Sequence, residues 1–177
     1  ITDVIQGGAG TSTNMNANEV VANRAAQLAG KALGVYDYIH PNDHVNFGQS
    51  TNVVFPTAGK LTALFLVEDL LEELMLLQEA LLDKSIEFND VIKLGRTHLQ
   101  DAVPIRMGQE FHAFATAIVR DIRRIKVAFS NLKSVNMGAT AVGTGINADV
   151  NYVGNVVRIL SERVTKNNFS YFKYVYK

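Results

Sequence analysis

The chain has 177 residues, 17 basic and 17 acidic side chains, four histidines and no cysteine. A hydrophobic fraction of 47% excludes a disordered chain, and the length supports one domain with a sizeable core. The balanced charge leaves no basic field for nucleic acid, and the lack of cysteine excludes disulfides and thiolate metal ligands.

The beginning of the chain carries no targeting pattern. Residues 1–6 lack the charged and then apolar run of a signal peptide, and they lack an obvious start, so we expect a chain that begins inside a longer protein. The most apolar stretch, residues 61–82, is interrupted by acidic side chains, which are too costly at the centre of a bilayer. We therefore expect a cytoplasmic protein that does not contact a membrane.

Hydrophobic spacing predicts long helices separated by polar loops. The helices are expected from about residue 16 to Gly30, and at about 57–84, 109–133 and 150–164, with Gln109 and Glu110 in the first turn of the third. Strand signals are confined to Val4–Ile5 and residues 169–176. The sequence therefore predicts a mainly α fold built as a long-helix bundle.

The helix expected at 57–84 is apolar on nearly all of its faces. A helix of this kind is buried inside a bundle or between subunits. One domain of this length rarely buries such a helix fully, so we expect it to pack in an oligomer.

Four polar clusters interrupt the helices, at residues 6–14, 40–52, 95–104 and 136–149. They supply hydroxyls, amides, one arginine and a few histidines, which suit carboxylate oxygens, especially beside helix N-termini. Because polar groups are costly to bury unless they are satisfied, this density indicates a binding site. For residues 95–104 alone, a solvated loop with helix caps is the alternative.

Two other kinds of site fit the residues less well. His40 and His44 are four residues apart, but Pro41 and Asn42 argue against a helix that would present both imidazoles to a metal. No Gly-x-Ser-x-Gly segment is present, which disfavours a serine nucleophile of the hydrolase type. We therefore expect no metal.

The polar clusters together resemble motifs of the aspartase/fumarase superfamily. The similar segments are QGGAGTSTNMNANE (6–19), HPNDHVN (40–46), QSTN (49–52), GRTHLQDAVP (95–104) and NMGATAVGTGIN (136–147). They occur in order over about residues 3–160 and look closest to the bacterial aspartate ammonia-lyase branch, with class II fumarases as the alternative.

This resemblance implies a reaction and an assembly. Superfamily members eliminate a group from a succinate-like skeleton to give fumarate, while preorganised donors stabilise the negative charge on a carboxylate. For the aspartase branch it implies conversion of L-aspartate to fumarate and ammonia without a metal or organic cofactor. It also implies a homotetramer in which each site is built from three subunits.

By the same resemblance, four residues from the first half of the chain bind substrate. Thr11 would hold a substrate carboxylate, and Ser50 and Thr51 would donate to the same carboxylate, where charge develops. Asn52 would contact the amino group.

The cluster at 95–104 would supply the opposite end of the site. Thr97 would bind the other carboxylate, and His98 would lie near the leaving amine as a catalytic residue. For Arg96 and Asp101 we expect a salt bridge that holds the segment in place.

The segment at 40–46 has two interpretations. His40, Asn42 and Asp43 match a secondary dicarboxylate site of fumarases. We expect instead that these residues form a turn before the next segment.

Two departures from the family pattern stand out. Val53 occupies the position where an aspartate usually follows the Ser-Thr-Asn run, which is expected to alter the orientation of the donors. The family's mobile loop, which carries its catalytic serine and then a lysine and an asparagine, has no counterpart among the 177 residues. We therefore expect the N-terminal and central part of a larger enzyme, or a non-catalytic degenerate fragment.

By the resemblance, residues 1–45 belong to an N-terminal domain and residues 46–165 to a central helical-bundle domain. Residues 166–177 form an atypical tail that is rich in Phe and Tyr. An edge strand, a partner-binding tail and an artefact of a truncated end are the interpretations of this tail, and we favour the last.

Overall fold

The computed structural model describes residues 2–6, 8–165 and 173–174. Its helical elements are a 3-10 turn (Gly8–Gly10), α1 (Thr11–Leu28), a π-helical turn (Pro41–Val45), α2 (Thr51–Glu87), α3 (Met107–Leu132) and α4 (Val150–Thr165). The strands are β1 (Ile92–Thr97), β2 (Gln100–Arg106), β3 (Ser134–Val135) and β4 (Lys173–Tyr174). Long helices dominate these elements, which confirms the predicted mainly α fold.

The start of α2 was predicted too late, at about residue 57. The helix begins at Thr51 because Ser50 caps it, with the Asn52 N–H donating to Ser50 Oγ at 3.2 Å. Pro56 lies inside the helix and cannot donate to the Asn52 carbonyl. That carbonyl instead accepts from Asn136 Nδ2 at 3.2 Å, so the proline leaves no unpaired acceptor.

The ends of the other helices differ less. Helix α1 begins at Thr11 and not near residue 16, so the polar cluster at 6–14 is partly helical. Helices α3 and α4 match the predicted ranges closely. Gln109 and Glu110 lie in the first turn of α3 as predicted: Gln109 Oε1 accepts from the Arg106 N–H at 2.9 Å, which is half of a capping box.

The segment 95–104 was expected to be a polar loop, and this was wrong. It forms most of an antiparallel hairpin in which Thr97 pairs with Gln100, so the turn is the two residues His98 and Leu99. Their φ values of 52° and 61° are those of a type I′ turn. The hairpin was not predicted because neither turn residue is glycine and the apolar alternation of β1 stops at Gly95.

Gly95 marks an irregularity in this hairpin. The register shifts between Leu94 and Arg96, and Gly95 is buried between them. A Cβ at Gly95 would lie 3.0 Å from the Val103 carbonyl oxygen, which explains the need for glycine.

Two other local predictions were wrong. Residues Pro41–Val45 form a π-helical turn, although Pro41 argued against helix, because proline is tolerated in a first helical turn. Val4–Ile5 is not a strand; the Ile5 N–H donates to Asp3 Oδ1 at 2.8 Å in a local turn. Of the tail, only Lys173–Tyr174 is described, and it pairs in parallel with Ser134–Val135; the rest of the tail prediction lies outside the described residues.

The chain divides into two compact units, each described by itself. Unit 1 comprises the described residues of 1–62 and 132–177, and unit 2 comprises residues 63–131. The core of unit 1 includes Ala22, Val53 and Val135, and that of unit 2 includes Leu64 and Ala115. The domain boundaries expected at 45/46 and 165/166 stay predictions.

Helix α2 leaves much of its apolar surface exposed in the single chain. Leu66, Leu70 and Leu76 are 63%, 48% and 58% exposed. Across the part of the chain that is described, no helix is both long and apolar enough to cross a membrane.

Candidate functional site

An open polar cleft of about 570 Å³ lies in unit 1. Its lining comes from the π-helical turn, the start of α2 and the glycine-rich segment 136–149, and includes Asn42, Asp43, Asn46, Gln49, Ser50, Thr51, Thr140 and Asn147. Of the predicted substrate-binding residues in this unit, Ser50 and Thr51 line the cleft.

The hydroxyl oxygens of Ser50 and Thr51 both accept hydrogen bonds from neighbouring groups. Ser50 Oγ accepts from the Asn52 N–H at 3.2 Å, and Thr51 Oγ1 accepts from Asn14 Nδ2 at 3.0 Å. A hydroxyl has one hydrogen and two lone pairs, so each retains its hydrogen for an acceptor in the cleft. The pair is therefore arranged as two donors side by side.

The N-terminal turns of α1 and α2 contact each other beside these donors. Asn14, in the first turn of α1, donates a hydrogen bond to Thr51, the first residue of α2. Gly10, the N-cap of α1, packs on Phe55 in α2: a Cβ at Gly10 would lie 2.4 Å from the ring. The positive ends of two helix dipoles thus lie close together, which favours an anion.

Thr11 occupies the first position of α1 and is exposed. Its helix has an N-cap glycine and no side-chain cap. The backbone N–H groups of this first turn therefore share the donor character that was predicted for the Thr11 side chain.

Three asparagines form a hydrogen-bond network that contacts the cleft residue Thr51. Asn14 and Asn18 are 6% and 8% exposed, and the side-chain amides of both donate to Asn46 Oδ1, at 3.3 and 3.1 Å. Sequence reasoning did not single out Asn18 or Asn46. The available signal was the spacing of Asn14 and Asn18, which places two amides on one helical face.

Asn52 fastens the glycine-rich segment to the start of α2. Asn52 Nδ2 donates to the Ala141 carbonyl at 2.9 Å, while its own carbonyl accepts from Asn136. The segment contains unusual left-handed backbone at Thr140 and Asn147, with φ values of 59° and 65°. One role of Asn52 is therefore to hold a strained cleft wall in place.

The residues of the predicted secondary site form a turn. His40 Nδ1 accepts from the backbone N–H groups of Asn42 and Asp43 at 3.3 and 3.1 Å, and the His40 N–H donates to His44 Nδ1 at 2.9 Å. This is the turn-forming arrangement that the sequence favoured. In the regions the structure describes, no group of three or more His, Asp or Glu side chains is placed to hold a metal ion.

Thr97 and His98 lie in unit 2, at the end of β1 and in the hairpin turn. Arg96 holds this tip, because its guanidinium donates to the Leu99 carbonyl at 2.9 Å and to Asp101 Oδ1 at 3.1 Å. The predicted salt bridge between Arg96 and Asp101 is therefore confirmed. Both side chains are mostly exposed, so the pair fixes geometry more than it adds stability.

Val53 lies in the core of unit 1, with no exposed surface. Its carbonyl accepts from Thr57 Oγ1 at 2.6 Å, and Thr57 is itself buried. Val53, which stands where the family usually has an aspartate, is thus a core residue that closely follows the donors Ser50 and Thr51 in the sequence. Ser50 and Thr51 still line the cleft.

Comparison with known proteins places this fold and its polar clusters in a family of lyases. The family described as "Lyase" matches residues 1–172. The chain therefore belongs to this lyase family, and the resemblance to the aspartase/fumarase superfamily is confirmed.

Its relatives include both enzymes that the motifs suggested. The chain is 56% identical over 162 residues to an aspartate ammonia-lyase of Bacillus subtilis, covering 92% of this chain and 34% of the relative. It is 48% identical over 165 residues to a class II fumarate hydratase of Wigglesworthia glossinidia brevipalpis, covering 93% and 35%. The chain thus spans about a third of the length of these relatives.

Solved structures share the fold. A fumarate lyase:delta crystallin from Brucella melitensis has a TM-score of 0.81 and 50% identity, covering 93% of this chain and 36% of that one. A class II fumarase from Schistosoma mansoni has a TM-score of 0.76 and 39% identity, covering 92% and 33%. The long-helix architecture of the superfamily therefore extends to this chain.

Proposed function

We propose that the protein is an aspartate ammonia-lyase, which converts L-aspartate to fumarate and ammonia. The observation that supports this most is the pair of cleft hydroxyls, Ser50 and Thr51, at the N-terminus of the 37-residue helix α2. Two donors beside a helix N-terminus suit a carboxylate that gains negative charge during the reaction. Relatives named as aspartate ammonia-lyases, at up to 56% identity, support the same substrate.

The chemistry is a β-elimination. A base takes the proton from the carbon next to one carboxylate, that C–H electron pair forms the C=C bond of fumarate, and the C–N pair leaves with the nitrogen as ammonia. The resemblance assigns the base to a serine whose loop has no counterpart among the 177 residues. While the proton is leaving, the neighbouring carboxylate carries extra negative charge. Ser50 and Thr51 would stabilise that charge, with Thr11 on the same carboxylate; removal of one such donor costs about 10²–10³ in kcat.

The resemblance assigns the other end of the substrate to the hairpin tip, in a site that three subunits build together. Thr97 would bind the second carboxylate, and His98 would lie near the leaving amine, with Asn52 contacting the amino group. Since Arg96 fixes the tip, these two side chains would be presented without a large ordering cost.

We also propose that the protein is a cytoplasmic homotetramer with no need for a metal or organic cofactor. The exposed leucines of α2 support assembly, because an apolar surface of this kind marks an interaction site. Light scattering of the intact gene product should give the mass of four subunits. A monodisperse monomer would contradict the assembly.

The substrate is decided by a rate measurement. The intact gene product is supplied with L-aspartate or with L-malate, and the absorbance of fumarate is followed. We expect fumarate from L-aspartate, a loss of about 10²–10³ in kcat for Ser50→Ala, and little change for Ser130→Ala, whose hydroxyl donates to the Val127 carbonyl of its own helix. Turnover of malate but not aspartate would replace the proposal with fumarate hydratase, the alternative that the Wigglesworthia relative supports.

A further inference from the structure

We propose that Asn14 is a positioning residue that keeps the Thr51 hydroxyl oriented as a donor to the bound carboxylate. This inference rests on the proposed function of the cleft. It concerns a residue that does not line the cleft but bonds Thr51, which does.

The direction of the hydrogen bond carries the argument. The Asn14 side-chain nitrogen can only donate, and it lies 3.0 Å from Thr51 Oγ1. Thr51 must therefore accept this bond, which leaves its single hydrogen for another partner. Within the described ranges, the Thr51 hydroxyl donates to no protein group, and Thr51 is one of the residues that line the cleft.

Asn14 is itself held in one orientation. Its amide also donates to Asn46 Oδ1 at 3.3 Å, and Asn46 Oδ1 accepts a second bond from Asn18 at 3.1 Å. Asn14 is 6% exposed, so water cannot readily replace these bonds. The amide cannot rotate to present its oxygen to Thr51 without breaking both of its own donor contacts.

Asn18 provides a matched control. It lies one turn further along the same helix, is 8% exposed, and bonds the same Asn46 oxygen, but it has no hydrogen bond to Thr51. A change at Asn18 therefore reproduces the cost of disturbing the buried network, without changing the partner of the Thr51 hydroxyl.

The test reverses the polarity at residue 14. In Asn14→Asp the carboxylate can only accept, so Thr51 turns its hydrogen toward residue 14 and away from the substrate. We expect kcat for L-aspartate to fall by about 10²-fold, the loss expected for one oxyanion donor. Asn18→Asp should lose less than about tenfold, because it disturbs only the supporting network.

A second substitution separates positioning from general damage. If Asn14 acts through Thr51, adding Thr51→Val to Asn14→Asp should lower kcat by less than about threefold more, since residues that act as a unit are not additive. In the Asn18→Asp background, Thr51→Val should lower kcat by the same factor as it does in the wild-type protein. Should Asn14→Asp fail to fold, Asn14→Ala and Asn18→Ala replace the pair, with about a fivefold loss expected only at Asn14.

The outcomes are distinct. Equal losses at residues 14 and 18, or a fully additive effect of Thr51→Val, would overturn the positioning role and leave the proposed function standing. If Thr51→Val alone leaves kcat unchanged, the assignment of the cleft fails, and the positioning role fails with it.

Discussion

Gly10 and Phe55 are in such close contact that a Cβ on Gly10 would lie 2.4 Å from Phe55 Cγ. The contact joins the N-cap of α1 to the second turn of α2, and the left-handed φ of 80° at Gly10 turns the chain into α1. The approach of the two helix N-termini beside the cleft therefore depends on a missing side chain.

Gly10→Ala should lower the free energy of unfolding by about 2–4 kcal/mol, because it adds overpacking to backbone strain. Gly30→Ala is the control: its φ is also left-handed, at 66°, but no atom of the described residues lies within 4 Å of an added Cβ. There we expect only the strain of about 1 kcal/mol. Chemical denaturation of both variants measures the difference, and equal losses would show that the contact with Phe55 is unimportant.

The hairpin tip offers a substitution that should increase stability. Leu99 is 92% exposed and has a left-handed φ of 61°, a conformation that glycine adopts without steric cost. Leu99→Gly should raise the free energy of unfolding by about 0.5–1 kcal/mol. This is the backbone strain that the glycine relieves, minus the larger conformational entropy that a glycine loses on folding. Leu94→Gly, in β1, should lower it; a loss of stability at both positions would argue against the type I′ turn.

Tyr152 should make the protein sensitive to alkaline pH. Its hydroxyl oxygen is buried without a hydrogen bond to any described residue, and burial raises the pKa of Tyr152 above the usual value of about 10. Above pH 10 the unfolded chain therefore releases this proton more readily than the folded chain, so stability falls as pH rises. Below pH 10 the folded and the unfolded chain both keep this proton, so Tyr152 causes no loss of stability there.

Tyr152→Phe should remove this alkaline loss of stability. At neutral pH it should leave the free energy of unfolding unchanged or raise it by about 1 kcal/mol, since an unpaired buried hydroxyl is lost. Thermal unfolding between pH 8 and 11 measures both effects, with the exposed Tyr38→Phe as the control. An identical pH dependence in wild type and Tyr152→Phe would refute this account.

Helices were predictable from sequence because their apolar residues repeat every three or four positions, as in α3. The hairpin was not predictable, because a two-residue turn of His98 and Leu99 lacks the usual glycine and Gly95 is the one buried residue among positions 92–104. The early start of α2 was missed because Pro56 reads as a helix boundary unless the partner of the Asn52 carbonyl is known.

The residues of the candidate site were likewise only partly predictable from sequence. The resemblance identified Ser50 and Thr51 as candidate donors, since they lie in a continuous motif. The amides behind them could not be assigned from sequence, because the bond from Asn14 to Thr51 joins residues that are distant along the chain. Only the fold shows which lone pairs are occupied and therefore which hydrogens are left for a ligand.

The most direct test of the central claim is the affinity of the intact gene product for fumarate, measured by isothermal titration calorimetry for wild type and for Thr51→Val. A hydrogen bond to a charged group contributes about 1.5–3 kcal/mol, so we expect Thr51→Val to raise the Kd for fumarate at least about tenfold. An unchanged Kd would contradict the claim that this hydroxyl, at the start of α2, binds a substrate carboxylate.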